Sequence, residues 1–360
     1  MIPHDIDALI SVSPSAVGII HKKCEKEVIL KKQTLAAIVL IIISLVSVNT
    51  SCSNDRYSGK TETLIIAAVP TELNALIYIA QDQNLFTENG LEITLKDYDS
   101  GATAVAGILN DEADIALAAE FPIVRQVFNK KDIINFGTIA KYENTYILWR
   151  TDSGVNSVHD LKGKKIGVTL TTISEFYLGR TLELNGLNIQ QVSLVDTRAA
   201  DSEKALVSKE VDAVVTWEPW VNQIKQLLGE EVMTRAAQSA QYAYWNLVTT
   251  SEWADSHTDV MERLIKSLAE AEHYINRHKD VAKAIIIKRM NFDNFYLDTI
   301  WPRYQFSMSL DQSLITAMED EARWMISNKL TTDIAMPHFV DYIYEDILKK
   351  IKPDAVNIIR

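Results

Sequence analysis

The chain has 360 residues, of which 48 are acidic and 36 are basic, so its formal net charge is −12 at pH 7. This surplus of negative charge argues against binding to nucleic acid or to anionic membrane surfaces, because both attract basic patches. With only two cysteines, Cys24 and Cys52, a disulfide framework and a cysteine metal site are not expected.

The first 51 residues are predicted to be a leader and a lipoprotein-type signal peptide. Residues 35–48 form an apolar run that follows two lysines and is too short to span a bilayer comfortably. Cys52 resembles the lipidated cysteine of bacterial lipoproteins, although Asn49 departs from the usual apolar residue at that position. An uncleaved anchor is the alternative, and Val28 is an alternative start to Met1. If Cys52 carries lipid, the chain is held at the outer face of the cell membrane.

Strands and helices alternate after a short polar tether at residues 52–60. Apolar runs and turn residues predict strands at 64–69, 91–95 and 114–118, and helices at 71–85 and 102–110. Such alternation predicts a mostly parallel sheet covered by helices.

The same alternation restarts at Lys164, with strands predicted at 164–170, 192–195 and 213–216. The sequence therefore predicts an α/β fold in which a second lobe (residues 151–246) is inserted into a first lobe (residues 61–150 and 247–360). From Thr258 onward the chain is predicted to be helical, with one apolar stripe along residues 260–275.

Two turns are candidates for ligand binding, because polar or aromatic residues directly follow a buried strand in each of them. Thr171, Thr172 and Ser174 come after the strand at 164–170, where a helix begins. Hydroxyl groups suit a helix N-terminus, which presents N–H donors and a partial positive charge to a ligand. Trp217 and Glu218 lie at the end of another buried strand, in the segment 211–220.

Four segments, in order, resemble the substrate-binding proteins of the nitrate/sulfonate/taurine class of ABC importers, a class that includes binders of thiamine-precursor pyrimidines. They are LIYIAQDQNLFTENGLEI (76–93), GATAVAGILNDEADIALAAEFP (101–122), DLKGKKIGVTLTTISEFYL (160–178) and VDAVVTWEPW (211–220). The resemblance implies a two-lobed periplasmic-binding-protein fold, type II-like, with a ligand cleft between lobes hinged by two crossing strands.

The resemblance also implies a function without catalysis. It predicts a monomeric extracytoplasmic protein that captures a small molecule and delivers it to the permease and ATPase of an ABC importer. No cofactor and no metal are expected, since no H-x-x-x-H or paired-carboxylate pattern appears. A sensor or receptor module is the alternative, and an enzyme on the same fold is a further one.

Ligands of open α/β sheets bind beyond the carboxyl ends of the strands, where loops and helix N-termini converge. Together with the resemblance, this rule predicts a set of ligand-binding residues at such turns. They are Glu72, Asn74, Ser100, Gly101, Ala102, Glu120, Phe121, Thr171, Thr172, Ser174, Arg198, Trp217, Glu218 and Tyr244.

The chemistry of this set leaves the ligand open. The hydroxyls and Arg198 suit a sulfonate or a nitrate-like anion. Three carboxylates, Glu72, Glu120 and Glu218, disfavour a bare anion and favour a ligand that carries an amine or an amidine-like ring. A zwitterion such as taurine, or an aminopyrimidine stacked on Trp217 or Tyr244, satisfies both.

Overall fold

The computed structural model describes residues 57–238 and 241–360, and two β-sheets organise this part of the chain. The predicted signal peptide and Cys52 lie outside these residues, so cleavage and lipidation stay predictions. Within the described ranges, no helix is both long enough and apolar enough to cross a bilayer.

The first sheet has six strands in the order β11-β4-β10-β3-β1-β2, and the second has five in the order β7-β6-β8-β5-β9. The strands are β1 (Glu62–Ala68), β2 (Leu91–Asp97), β3 (Ile115–Ala118), β4 (Ile134–Tyr142), β5 (Thr145–Arg150), β6 (Lys165–Val168), β7 (Ser193–Asp196), β8 (Ala213–Trp217), β9 (Val232–Ala236), β10 (Ala243–Thr249) and β11 (Tyr304–Ser309).

Helices cover both sheets. They are α1 (Ala75–Asp82), α2 (Leu85–Glu88), α3 (Gly101–Leu109), α4 (Glu120–Phe128), α5 (Ile173–Leu184), α6 (Ser202–Val207), α7 (Trp220–Leu228), α8 (Ser251–Ser256), α9 (Thr258–Arg277), α10 (Lys279–Met290), α11 (Asn294–Ile300), α12 (Gln312–Ser327) and α13 (Asp346–Ile351). The helix predicted at 71–85 is shorter in the structure: α1 begins at Ala75 and ends at Asp82, and Asn84 adopts a left-handed φ of 59° before α2 begins.

The prediction of a mostly parallel sheet is wrong, because both sheets are mixed. In the first sheet, β1 is parallel to β2 and β3, whereas β10 is antiparallel to β3 and β4, and β11 is antiparallel to β4. In the second, β6 is parallel to β7 and β8, whereas β5 is antiparallel to β8 and β9. Four of the five antiparallel pairs include β5 or β10, the strands that begin after each passage from one sheet to the other.

Two crossing segments join the sheets. The first links β4 to β5 through Glu143 and Asn144, and the second links β9 to β10 through residues 237–242. The predicted lobe boundaries fall later, after residues 150 and 246, and stay a prediction. Strand β5 lies in the second sheet and all of β10 lies in the first.

The region after Thr258 is mainly helical, and the predicted stripe of α9 is buried from Val260 to Ile275. One strand interrupts it: β11 joins the edge of the first sheet, with Tyr304 and Phe306 buried and Gln305 exposed between them. This period of two is the pattern of a strand with one buried face.

An aromatic cluster joins the two sheets' helices on one side of the molecule. Phe121 of α4 packs on Phe176 of α5 with ring centroids 5.9 Å apart, and Trp324 of α12 lies 5.9 Å and 5.6 Å from these two rings. All three side chains are buried. Helix α12 therefore packs against helices of both sheets.

Candidate ligand-binding site

A narrow cavity of about 40 Å³ lies where the carboxyl ends of strands from both sheets meet. Its walls are mostly apolar and aromatic, with a few hydroxyl and amide groups. The lining residues are Val69, Thr71, Leu73, Gly101, Ala119, Pro122, Tyr142, Asn144, Thr145, Thr172, Ile173, Trp217 and Trp245. None of these residues, all within the described ranges, carries a formal charge.

The first crossing segment contributes polar atoms that have no partner in the protein. The N–H groups of Asn144 and Thr145 donate to Gln238 Oε1 over 2.8 Å and 3.0 Å, and Gln238 Nε2 donates to the Tyr142 carbonyl over 3.0 Å. One glutamine thus fixes both crossing segments. Both side-chain amide atoms of Asn144 and the hydroxyl of Thr145 are buried without a hydrogen bond. Buried polar groups of this kind call for a ligand or ordered water.

On the side of the first sheet, a buried carboxyl lies behind the cavity wall. Thr71 Oγ1 donates to Glu72 Oε2 over 3.1 Å, and the Tyr304 hydroxyl donates to Glu72 Oε1. Burial raises the pKa of Glu72 to about 7, against the opposing effect of these hydrogen bonds. Thr71 lines the cavity, whereas Glu72 is not among the lining residues.

Asn74 supports the wall from behind. Its Oδ1 accepts a hydrogen bond of 2.8 Å from Trp245 Nε1, and its Nδ2 donates to the Val69 carbonyl over 2.8 Å. The amide therefore orients an indole ring that lines the cavity, and it is fully buried.

On the side of the second sheet, the N-terminus of α5 is closed by its own side chains. Thr172 Oγ1 donates to the Thr169 carbonyl over 2.7 Å and accepts from the Ser174 N–H over 3.3 Å. The Glu175 carboxylate accepts from the N–H of Thr171 over 2.7 Å. Thr171 holds a left-handed φ of 65°, an unusual conformation for a β-branched residue. Thr172 lines the cavity, while the Ser174 hydroxyl is buried without a partner.

Trp217 lines the cavity at the end of β8, and its neighbour Glu218 links the second sheet to α11. Glu218 Oε2 accepts from the Tyr296 hydroxyl and from the Asn222 N–H, both over 3.1 Å. Burial raises the pKa of the Glu218 carboxyl. This contact connects two parts of the fold across the cavity region.

A pair of buried carboxyls, Glu120 and Glu321, lies behind the wall near Ala119. Glu120 Oε2 accepts from the Tyr244 N–H over 2.9 Å, whereas Glu120 Oε1 and both carboxyl oxygens of Glu321 are buried without a hydrogen bond. Both side chains are fully buried, and burial raises the pKa values of both carboxyls. Phe121 points into the aromatic cluster.

The remaining predicted residues occupy distinct positions. Gly101 lines the cavity at the start of α3, where a Cβ would lie 3.0 Å from the Ala118 Cα, and Ser100 caps this helix through the Thr103 N–H. Ala102 is half-buried in the first turn of α3. Arg198 pairs with Asp99 over 2.8 Å instead of lining the cavity. That ion pair joins a loop of the second sheet to a loop of the first.

Of the predicted residues, Gly101, Thr172 and Trp217 line the cavity. Sequence reasoning missed Tyr142, Asn144, Thr145 and Trp245 among the lining residues, and it missed Tyr296, Tyr304 and Glu321 behind the wall. A signal for Asn144 and Thr145 existed, since they separate two apolar runs that became β4 and β5. In the part of the chain described, no group of three or more His, Cys, Asp or Glu side chains could hold a metal ion.

Comparisons with known proteins agree with this architecture. A Bacillus subtilis (strain 168) protein provisionally named for binding aliphatic sulfonates is 18% identical over 297 residues, covering 81% of this chain and 90% of the relative. The alkanesulfonate-binding protein SsuA from Xanthomonas axonopodis pv. citri, solved with MOPS bound, superposes with a TM-score of 0.70 at 16% identity, covering 80% of this chain and 100% of SsuA. The desulfurization enzyme DSZB superposes with a TM-score of 0.61 at 16% identity, covering 81% and 99%.

The solved structures establish the fold: this is a two-lobed periplasmic-binding-protein fold of the α/β class. The family model described as NMT1/THI5 like matches residues 74–282, which is more than half of the chain. The chain therefore belongs to the NMT1/THI5-like family.

Proposed function

We propose that this chain is an extracytoplasmic solute-binding protein that captures a small polar molecule in the cavity between its two sheets and delivers it to an ABC importer. The observation that carries the proposal is the set of buried, unpartnered polar atoms of Asn144 and Thr145 on the cavity wall. A ligand that bonds to them removes an energetic penalty of about 1–3 kcal/mol per unsatisfied group. The sulfonate-binding relatives support a small-molecule ligand.

The cavity draws its walls from both sheets, so a ligand that fills it favours the arrangement in which the lobes are closed. The crossing segments held by Gln238 serve as the hinge. The closed shape is what the permease recognises, and lipid on Cys52 keeps the binder close to it. Export across the cell membrane follows from the predicted signal peptide.

Binding, rather than catalysis, fits the chemistry of the walls. DSZB, which has a similar fold, is an enzyme, so the fold alone does not distinguish a binding protein from an enzyme. In the described part of the chain, the carboxyls nearest the cavity are engaged by hydroxyl or N–H donors of the protein, as at Glu72 and Glu218. Among the lining residues, only Tyr142 has an ionisable side chain. Burial raises the pKa of this tyrosine well above its usual range.

Native mass spectrometry of the purified full chain, followed by a thermal-shift screen of a metabolite library, tests the proposal. A ligand at a hundred times its Kd stabilises the folded state by about 2.7 kcal/mol, which raises Tm measurably. We expect Trp217→Ala to weaken the shift, and Trp253→Ala, a change outside the cavity lining, to leave it unchanged. A chain with neither a co-purified molecule nor any shifting compound contradicts a solute-binding role.

A further inference from the structure

One buried hydrogen bond crosses from the second sheet's side of the molecule to the first sheet's side. Glu218, which follows β8, accepts the Tyr296 hydroxyl of α11 over 3.1 Å, and both residues are only 5% exposed. Helix α11 belongs to the first sheet's side, because α10 directly before it packs on α1, where Arg289 lies 5.2 Å from the Tyr78 ring. Parting of the two lobes therefore separates Glu218 from Tyr296.

A cleft of about 400 Å³ adjoins this contact, and its walls come from both sides of the molecule. Pro219 and Trp220 line it on the second sheet's side, and Phe292 lines it on the first sheet's side. The Phe292 ring packs edge-on against the Tyr296 ring, with centroids 4.8 Å apart. When the lobes part, the cleft widens beside the contact, so the Glu218 carboxyl passes from a buried position to a solvated one.

The surroundings of Glu218 favour its neutral form while the lobes are closed. Burial raises the pKa of the Glu218 carboxyl, and the hydrogen bonds from the Tyr296 hydroxyl and the Asn222 N–H oppose this increase only in part. Lys225 is the cation that acts on this carboxyl, and it lies exposed on α7, where solvent screens its charge.

On the first sheet's side, the contact faces further acidic groups. Burial raises the pKa of Glu72 to about 7, and the nearby charge of Glu218 adds to this effect. Asp293 caps α11 through the Tyr296 N–H over 2.7 Å. Burial, and then the charges of Glu72, Glu218 and Asp293, hold the pKa of Tyr296 above its usual range, so its hydroxyl keeps its proton. The Tyr304 hydroxyl donates to Glu72 in the same way that Tyr296 donates to Glu218, so each carboxyl has one phenol donor and ionisation of both is opposed by their repulsion.

We infer that closure of the two lobes is linked to the uptake of a proton at the Glu218–Tyr296 contact, so that low pH favours the closed arrangement and high pH favours the open one. The inference rests on the proposed function, in which the lobes close on a solute. In the open arrangement Glu218 is solvated and has its ordinary pKa of 4.5, whereas burial raises this pKa in the closed arrangement. The resulting stabilisation of the closed arrangement is fully present below pH 4.5 and is lost as the pH rises through the raised pKa.

Single-molecule FRET of the purified full chain without ligand, at pH 5 and at pH 8, tests this linkage. Dyes on Lys131→Cys and Glu210→Cys, with Cys24 and Cys52 replaced by serine, report the closed arrangement as the high-transfer population. A difference of one pKa unit between the two arrangements changes their ratio by up to about tenfold, so we expect the ratio of open to closed molecules to rise by about threefold or more from pH 5 to pH 8. An unchanged ratio overturns the linkage.

Glu218→Gln should abolish this response to pH. The amide oxygen can still accept from the Tyr296 hydroxyl, but the side chain does not ionise, so the ratio at pH 8 should match that of the parent protein at pH 5. Glu230→Gln, which changes an exposed carboxyl of the second sheet's side, is the matched control and should respond as the parent does. A response of Glu218→Gln equal to that of the parent places the titrating group elsewhere and overturns the inference.

Tyr296→Phe is a second variant if Glu218→Gln fails to fold, which a thermal melt reports. It removes the donor that crosses between the lobes but keeps the carboxyl, so it should raise the open population at both pH values and retain a response to pH. An open population that Tyr296→Phe leaves unchanged also overturns the inference. Because no ligand is present, the native mass spectrum judges solute binding separately: a chain that binds no solute but shows the response contradicts the proposed function and leaves the proton linkage standing.

Discussion

Buried carboxyls with raised pKa values lie behind the cavity wall. Glu72 and Glu218 each accept a phenol hydrogen bond, from Tyr304 and Tyr296, and Glu120 accepts a backbone N–H from Tyr244. Burial raises the pKa of all three, because it disfavours the charged form. Since a neutral carboxyl is far less costly to bury than a carboxylate, these groups are tolerated without an adjacent arginine.

The pH dependence of stability follows from Glu72. The pKa of Glu72 is about 7 in the folded protein, against an ordinary value of 4.5. Its contribution to the free energy of unfolding is therefore fully present below pH 4.5 and is lost as the pH rises through about 7. One pKa unit corresponds to about 1.4 kcal/mol, so the loss attributable to Glu72 is on the order of 3 kcal/mol. We expect urea unfolding to give a lower free energy at pH 7.5 than at pH 5.

Glu72→Gln should remove part of this pH dependence, because the amide does not ionise. Glu218 and the Glu120–Glu321 pair retain the rest, since their pKa values are raised as well. The exposed Glu92→Gln serves as the matched control and should leave the difference between the two pH values unchanged. An equal fall in stability for wild type and Glu72→Gln would show that Glu72 is ionised in the folded state.

Sequence reasoning could place these glutamates but not orient them. Each follows a strand at a turn, and the rule on carboxyl ends of strands brings such turns together. Their hydrogen-bond donors come from far along the chain: Tyr304 lies 232 positions from Glu72, and Tyr296 lies 78 from Glu218. No local pattern encodes such pairs. This rule did not predict Asn144, because Asn144 lies in a crossing segment between two strands and not at a strand-to-helix turn.

At the scale of elements, α12 fixes the relation between helices of the two sheets. Trp324 fills the space above Gly179 of α5, where a Cβ would lie 2.1 Å from the indole ring. The ring is held by Phe121 and Phe176, so it has little room to move. Polar contacts extend the junction, since Arg180 pairs with Asp320 and Asn328 donates to Glu183.

Gly179→Ala should therefore destabilise the fold despite better helix propensity. Replacing a mid-helix glycine with alanine contributes about 1 kcal/mol, whereas overpacking costs about 1–3 kcal/mol. Because the Trp324 ring is tightly held, we expect an overpacking cost near the upper end of this range. The free energy of unfolding measured in urea should therefore fall by about 1–2 kcal/mol.

Trp324→Leu removes the clashing ring and is the test of that cause. In the Trp324→Leu background, Gly179→Ala should become neutral or stabilising, which a double-mutant cycle measures as a coupling energy. Additive effects of the two changes would mean that the glycine is needed for another reason.

The elements that sequence patterns predicted are those with strong local signals. The alternation of strands and helices up to α7 and the stripe of α9 appear in the structure. Strands β4, β9 and β11 were not predicted. Pairing with distant strands helps to determine them: Tyr304 of β11 pairs with Tyr142 of β4, 162 positions earlier in the chain. The reversal of strand direction at each crossing is likewise a tertiary feature.

At the scale of the whole molecule, the two sheets are joined unequally. The aromatic cluster and α12 hold one side through buried apolar contacts, while polar contacts join the loops elsewhere. Asp99 and Arg198 form an ion pair of 2.8 Å between the loop after β2 and the loop after β7, and both side chains are more than half exposed. Ion pairs of this kind contribute at most about 1 kcal/mol, which suits a contact that breaks when the lobes part.

Asp99→Asn should shift the unliganded protein toward an open arrangement by at most about fivefold in equilibrium constant. Single-molecule FRET between dyes on Lys131→Cys and Glu210→Cys, with Cys24 and Cys52 replaced by serine, would report this as a larger low-transfer population.

High salt should reproduce the shift in the parent protein, because it screens exposed charges. Asp152→Asn is the matched control, since Asp152 pairs with Lys209 on the second sheet's own side. An unchanged distribution for Asp99→Asn at low salt would mean that apolar packing alone sets the angle between the lobes.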